Sequence, residues 1–592
     1  MQEHDNSIVS SANHNVKGGG QHMIDKSDES VADVKIRYFR GRIVAKIPYD
    51  KRHRVQELKI GWFEPKWKCW AFPYSPVAAH FLIEEFRNEL AYCEEEIAEL
   101  DKHFQEAHQE RYAENPPPIP GLSNHAPTTW EHQRQACRFG CKLPGVLFDM
   151  WMGTGKTLTA YGVLSNVKND RVLVVCPKSV IPVWWYEAKK AEQNFLVTLL
   201  NKGTTRNKAA LVNENMELAR CEGRPHVIVV NYETFWREPL FDKQILSRDW
   251  DVVIYDEIHR LKDPTGRASK AAAKLRDKAN LRLGLTGTPM PHSPLDIFGI
   301  YRALDTSVFG TNFHRFKMRY AVLGGYAQKE VVDYKNREDL SYRFRLIAYQ
   351  APSDVIDLPG AIHTYRTVPL EKKAQKLYND LDKALYAEVE EGSITPANAM
   401  VKVLRLQQLT SGYMSTDEDE LVEVGTEKKE LLKDLLQDIP RDEPVVVFTR
   451  FKPDLSNVLE VAQEVGRSCA EHSGRKHQLA EWQNGDYNVL ATQINSGKEG
   501  VDLSRAAYCI YYSIGHSLGD YEQSLSRTRR PGQTRTVQYF HLLTEDTIDL
   551  TIYKSLRKRR EVIDTILAGE RATMDEVAEI DATEGVDESE MN

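Results

Sequence analysis

The chain has 592 residues, 41% hydrophobic and 28% charged, with a net charge of −8. That length is more than one hydrophobic core organises, so three or four domains are expected. No run approaches the roughly 20 apolar residues of a membrane helix, no basic-then-apolar signal opens the chain, and the eight cysteines lack framework spacing, so the composition argues against a membrane protein or a disulfide scaffold and fits the reducing cytoplasm, the host's if the source is viral.

In chain order, residues 1–33 are polar, rich in Gly, Ser, Asn and His, and read as a disordered tail. Residues 34–114 then suggest a small α+β module. The stretches 34–39 and 42–48 tend to alternate apolar with polar residues, 66–73 is a further strand candidate, and 77–112 is rich in Glu, Ala and Leu as helices are. Asn115-Pro-Pro-Pro-Ile-Pro-Gly121 is a stiff linker and a domain boundary. Cys137 and Cys141 form the one close cysteine pair, and no second pair completes a zinc site.

From 122 to 305, apolar runs at 145–148, 171–176, 226–230 and 251–255 alternate with helical patterns. The runs are continuous, as in strands covered on both faces of a parallel sheet. A similar series returns within 426–565, at 444–448, 487–492, 507–512 and 536–542. The stretch 306–425 reads as a mainly helical connecting region. The fold class is α/β: two parallel-sheet lobes, a helical connecting region and a small α+β N-terminal module. Residues 570–592 hold nine acids and one base, so this acidic tail carries the whole net charge and leaves a near-neutral body. The tail reads as disordered and open to a protein partner. A near-neutral body with a locally basic cleft can still bind nucleic acid.

The chemistry starts at Met152-Gly-Thr-Gly-Lys-Thr157, between a strand and a helix. Gly153, Thr154 and Gly155 let backbone amides approach a phosphate, and the helix N-terminus adds a favourable dipole. Lys156 is assigned to the β/γ-phosphates of ATP and Thr157 to Mg2+. The general pattern has a glycine six residues before the lysine, where this chain has Met150. One hundred residues downstream, Asp256 and Glu257 end an apolar strand, where α/β sheets place ligands. Asp256 is assigned to Mg2+, and Glu257 to orienting or deprotonating the attacking water. Arg527 and Arg530 stand three apart on an expected helix and so share a face. Offered from a second lobe, they are candidate arginine fingers, which can contribute roughly 10³–10⁵ in rate.

With these motifs in order, the chain resembles the SWI/SNF-type ATPases of helicase superfamily two over roughly 125–560. Trp130-Glu-His-Gln133 is similar to the adenine-reading segment, which implies a nucleotide role for Gln133. Residues 176–187 resemble a segment that touches one DNA strand, implying contacts from Pro177, Lys178 and Ser179. Asn231-Tyr-Glu-Thr234 resembles the next, implying Asn231 and Tyr232. Leu285-Thr-Gly-Thr-Pro289 and 295–298 match the coupling motif, implying Thr286 and Thr288. In the second lobe, 447–451, Ser496-Gly-Lys-Glu-Gly-Val-Asp-Leu503 and Gln523 through Gln533 match, adding Gly500 and Asp502 to coupling and Gln523 to catalysis. The connecting region matches at 313–320 and 354–359. Two residues depart from the pattern: Ile258 stands for the small residue of the Asp-Glu-x-His box, and Pro531 for the usual Ile. The resemblance implies RecA-like lobes, ATP and Mg2+ as cofactors, duplex or forked DNA as partner, and movement driven by hydrolysis.

Residues 43–50, 57–59 and 66–73 further resemble the HARP module of annealing helicases, which implies fork remodelling or strand annealing. Here Lys51, Arg52, His53, Arg54, Lys66 and Lys68 lie close in sequence to Trp62, Trp67 and Trp70, and Trp67 and Trp70 are the DNA contacts expected on that basis. The basic run Lys554, Arg557, Lys558, Arg559 and Arg560 reads as a solvated helix face. Two alternatives stay open: a strand-separating helicase, and a nucleotide-gated DNA-binding platform with little turnover.

Overall fold

A computed structural model describes residues 34–568, apart from 121, 123–128, 192–193, 326–329, 352–354, 356, 391–395, 416–419 and 495–500. Both expected tails and Gly500 lie outside the described residues. The chain divides into two units, Met1–Val355 and Ile356–Asn592.

The alternation near the N-terminus makes a five-stranded sheet. Its strands are β1 (Val34–Phe39), β2 (Arg42–Lys46), β3 (Trp62–Glu64), β4 (Cys69–Pro73) and β5 (Leu90–Cys93), in the order β3-β4-β2-β1-β5. Arg40 and Gly41, both at positive φ, close the β1–β2 hairpin. Ile36, Ile43, Ala45 and Phe72 are fully buried on one face, and the helix Glu95–Arg111 packs on β1. The helical side of this module is tied to the rest of the first unit. The Ser75 hydroxyl donates to Ser307 Oγ at 2.7 Å. His108 Nε2 lies 3.0 Å from the Leu346 carbonyl, and the Arg343 guanidinium sits 4.9 Å from the Phe81 ring. Arg138 pairs with Glu110. The proline-rich segment reads in the sequence as a boundary, yet the module and the sheet beyond it belong to one unit.

That second sheet uses β6 (Gly145–Asp149), β7 (Arg171–Cys176), β8 (Leu196–Leu199), β9 (His226–Asn231), β10 (Trp250–Asp256) and β11 (Ala279–Thr286). A hairpin follows, β12 (Ala321–Gly324) with β13 (Glu330–Tyr334), and β14 (Ala348–Gln350) returns to the sheet. The order is β14-β6-β11-β10-β7-β9-β8, every pair parallel. Val172 through Cys176 and Val252 through Tyr255 are fully buried, so both faces are covered. β6 and β10 flank β11 and run in the same direction, so the loops after Asp149 and Asp256 leave the same edge. At the outer edge the Ala351 N–H donates to the Asp149 carbonyl, and Gln350 Nε2 to Asp149 Oδ2, both at 3.1 Å.

The second unit holds β15 (Ala361–Val368), a hairpin of β16 (Tyr413–Ser415) and β17 (Leu421–Glu423), then β18 (Val445–Thr449), β19 (Cys469–His472), β20 (Val489–Gln493), β21 (Tyr508–Tyr511) and β22 (Val537–Thr544). Its sheet runs β15-β22-β21-β18-β20-β19, again all parallel. Leu432, Val447, Leu455, Val489 and Ile510 belong to its core. Residues 306–425 divide between the units: helices Phe313–Tyr320 and Arg337–Arg345 lie in the first, Lys372–Glu390 and Pro396–Thr410 in the second. The same stretch also donates an edge strand to each sheet, β14 and β15.

Candidate active site

The loop after β6 is built by two glycines. Gly153 and Gly155 have φ of 85° and 82°, a region costly for other residues. A side chain at Gly155 would also meet Gln133, since its Cβ would lie 2.2 Å from Gln133 Nε2. Gln133 is buried, donates from Nε2 to the Thr154 carbonyl at 2.9 Å, and accepts from the Trp130 N–H at 3.1 Å. His132 Nε2 lies 2.9 Å from the same carbonyl, and burial lowers its pKa, so a neutral ring donates there. Thr154 is itself fully buried, with its hydroxyl on the Trp151 carbonyl at 2.6 Å. Lys156 opens the helix Lys156–Leu164 and donates to the Met150 and Trp151 carbonyls at 2.9 and 3.2 Å. Thr157 follows it, half-buried. Met150, which replaces the usual glycine, is 1% exposed and donates its N–H to the Thr286 carbonyl. Its side chain belongs to the core, and the loop turns after it.

Asp256 ends β10 with a buried carboxylate. Burial pushes its pKa up to about 7, Glu257 adds in the same direction, and Lys156 and the Trp184 indole oppose them. Trp184 Nε1 donates to Asp256 Oδ2 at 3.0 Å, and the Tyr232 hydroxyl donates to the Asp256 carbonyl at 2.9 Å. Glu257 sits at φ 52°, left-handed for a residue with a Cβ. Its Oε2 lies 3.3 Å from His259 Nδ1, which is also 3.0 Å from Thr286 Oγ1. Thr286 Oγ1 in turn accepts the Thr288 N–H at 3.1 Å. The assigned water-activating carboxylate is thereby joined to both coupling threonines through His259. His259 stood inside a quoted motif without a role of its own, and Trp184 had none either. No spacing marks an indole as a partner of a carboxylate.

ATP with Mg2+ suits these residues. The glycine turns and the helix start form a phosphate cradle. Asp256 and Glu257 set adjacent carboxylates in a buried setting that a divalent cation would neutralise. Among the described residues no group of three His, Cys, Asp or Glu gathers as a self-sufficient metal cage. Mg2+ is usually held by one or two protein groups together with substrate phosphates.

The candidate DNA contacts are distributed differently from the sequence reading. Lys178 and Ser179 are exposed, whereas Pro177 is buried. Asn231 is buried with Nδ2 on Glu233 Oε2 at 2.6 Å, and Tyr232 is 3% exposed with its hydroxyl turned to Asp256. Their side chains are therefore withdrawn from the surface. β9 and the following turn are built into the sheet, and burial demands a partner for each polar group. On the helix Ile181–Lys190, Trp185 and Tyr186 are 41% and 63% exposed, and Lys189 lies over the Trp185 ring. In the module, Trp67 packs edge-on to Phe39, and Trp70 to Phe63.

In the second unit the helix Leu518–Thr528 carries Gln523 and Arg527, both 8% exposed. The helix stops at Thr528, so Arg530 lies beyond it and the shared-face argument fails, because Arg529 leaves helical geometry at ψ 87°. Arg530 Nη1 instead approaches the Val501 carbonyl at 3.5 Å and Asp502 Oδ2 at 3.6 Å. The Leu503 N–H donates to the Arg527 carbonyl at 3.1 Å. Asp502 and the arginine segment are thus brought together. The basic run lies on the helix Ile548–Ala568, where Arg557 and Arg560 pair with acids one turn on.

Residues 56–415 match the model of the SNF2-related domain, and 427–532 that of the helicase conserved C-terminal domain. The chain belongs to the SNF2-related family, of the SWI/SNF type within helicase superfamily two. A Mycoplasma pneumoniae protein described as an ATP-dependent helicase is 24% identical over 445 residues, 72% of this chain and 40% of its own length. Protein p41 of Acyrthosiphon pisum secondary endosymbiont phage 1 is 26% identical over 454 residues, covering 71% of this chain and 94% of that protein. Among solved structures, the Sulfolobus solfataricus SWI2/SNF2 ATPase core in complex with dsDNA is 19% identical, covering 78% of this chain and 97% of that one, at a TM-score of 0.36. Among the described residues, no helix of this SNF2-related chain is long and apolar enough to cross a membrane.

Proposed function

We propose that this chain is a DNA-dependent ATP hydrolase that couples turnover to movement along duplex or forked DNA. The observation that carries the reading is the convergence of Lys156, Asp256 and Glu257 at one edge of a parallel sheet, with Glu257 joined through His259 to Thr286 and Thr288. A pure nucleotide-gated binder needs no such carboxylate at the end of a strand.

In this reading residues 122–305 and 426–565 are the two motor lobes, and 34–114 is a HARP-like module that favours forks or strand annealing. Gln133 stands at the adenine end of the site. Gly153, Thr154, Gly155 and Lys156 hold the phosphates. Thr157 and Asp256 hold Mg2+, which when bound polarises the terminal phosphate. Glu257 takes up or orients the water proton, and His259 fixes the carboxylate. Arg527 and Arg530, with Gln523, are the second-lobe candidates for stabilising charge on the transferred group. Asp502 lies beside Arg530, with Oδ2 3.6 Å from its Nη1. DNA contacts come from Lys178 and Ser179 and from the exposed aromatics of the following helix. The helicase description of the Mycoplasma relative supports the motor reading. The acidic tail is left for a protein partner.

The test is the ATPase rate without nucleic acid, then with single-stranded DNA, duplex, forked DNA and RNA at one salt concentration. Strong stimulation by duplex or fork is expected, with fork preference lost on deleting residues 1–115. Stimulation by RNA alone, or none at all, would overturn the reading. Strand displacement from a plain duplex would move it to a strand-separating helicase.

A further inference from the structure

The N-terminal sheet has a second face. Strand alternation and the pairing register place Lys35, Arg37 and Phe39 of β1 on the side opposite Ile36. Arg37 is paired with Val44, and Phe39 with Arg42, so Arg42, Val44 and Lys46 of β2 share that side. Val44 is paired with Ala71, and Ala71 with Trp62, which brings in the edge strand. Tyr92 of β5, paired with Lys35, closes the row. The face therefore carries lysines, arginines and aromatic rings, with Glu64 as the acid at its far edge.

The contacts support this placement. The Arg42 guanidinium lies 5.1 Å from the Trp62 ring, and that of Arg37 lies 5.1 Å from the Tyr92 ring. Phe39 and Trp67 meet edge to face with centroids 4.8 Å apart. Phe39, Trp62 and Tyr92 are 39%, 40% and 44% exposed, and Arg37, Arg42 and Lys46 are exposed as well. A row of large exposed rings costs solvation unless a flat apolar partner covers it. The opposite, helical side docks on the rest of the first unit through Ser75, His108 and Arg111. The face differs from the surface expected from sequence. Arg54, expected there, is tied to Glu85 and Glu89, and Trp70 packs with Phe63 on the other side.

We infer that this open sheet face binds an unpaired DNA strand, with bases stacked on Phe39, Trp62 and Trp67 and phosphates held by Arg37, Arg42 and Lys46. Rings spaced among guanidinium groups match the alternation of base and phosphate in a single strand, and a duplex keeps its base faces stacked inside. The inference deepens the DNA reading above and rests on it for the module's role. It assigns the ligand class and the residues that touch it.

The experiment uses the full chain and a fluorescent oligothymidylate, with affinity read by anisotropy over a salt series. The double variant Phe39→Ala/Trp62→Ala is expected to lose roughly tenfold or more in affinity, since each stacked base contributes about that much. Arg37→Gln/Arg42→Gln is expected to lower the slope of log affinity against log salt by about 0.7 per lost phosphate contact. Duplex-stimulated ATPase is expected to stay intact in both. Ultraviolet crosslinking of the unaltered chain, expected at Phe39, Trp62 or Trp67, keeps the inference testable where a variant folds poorly. Unchanged oligothymidylate affinity in folded variants, or crosslinks confined to other segments, overturns it. A chain that binds oligothymidylate through this face but hydrolyses no ATP would keep this inference and sink the motor reading.

Discussion

The two sets of catalytic candidates are held in different ways. In the first unit, Thr154, Gln133, Asp256, Glu257, Thr286 and Thr288 are linked to one another or to Trp184, Tyr232 and His259 by contacts of 2.9 to 3.3 Å, mostly buried. In the second, Arg530 lies past a helix end, half-buried, with contacts of 3.5 and 3.6 Å. The first set is interlinked within its unit; in the second, Gln523 and Arg527 are buried on a helix while Arg530 lies beyond its end on longer contacts. Nucleotide capture and turnover should therefore be separable by mutation.

The strongest way to break this comparison is at Lys156. Lys156→Ala is expected to abolish hydrolysis, a loss of at least about 10³-fold, and persistent DNA-stimulated ATPase would mean the site is misassigned. Arg530→Ala is expected to leave binding of an ATP analogue intact and to lower kcat by roughly 10³–10⁵; normal turnover would take Arg530 out of the catalytic set. Trp184→Phe keeps an aromatic ring but removes the indole N–H that donates to Asp256, together with part of a fully buried ring system. A hydrogen bond to a charged group contributes about 1.5–3 kcal/mol, so a roughly tenfold loss in Mg2+-dependent analogue affinity, read by calorimetry, sharpens the claim that the indole positions this carboxylate. Gly155→Ala forces a side chain into a left-handed turn against Gln133 and is expected to cost about 1–2 kcal/mol of stability, seen as a lower midpoint in denaturant. The smallest effect is expected from Tyr232→Phe: about 1 kcal/mol of stability and no change in DNA affinity. A clear affinity loss there would return Tyr232 to the DNA surface.

Both sheets were legible because their central strands are continuous apolar runs, the pattern of strands covered on both faces. The edges were not. β15 reads Ala-Ile-His-Thr-Tyr-Arg-Thr-Val and is largely exposed or half-buried, so its residues give no apolar run, and β14 is three residues long. Both fell within the stretch read as helical. The phosphate loop and the Asp256-Glu257 pair were visible because their chemistry needs fixed spacing in the chain. Trp184 and His259 were not singled out, because what they touch is set by sheet order. The face of the N-terminal sheet was misread for a related reason: proximity in sequence grouped Arg54 and Trp70 with Trp67, and the strand register separates them.

One edge strand has a mechanical consequence. β14 lies parallel to β6, and Ala351 and Gln350 are fastened to Asp149, the residue before the loop that presents Lys156. The chain leaves the first unit within five residues of that point. Two of its hydrogen bonds fix the end of this strand to the sheet. The last of them sits at the root of the phosphate loop. Loosening this edge would thus be felt first at that loop, which makes the short strand a seam on which the glycine turn depends.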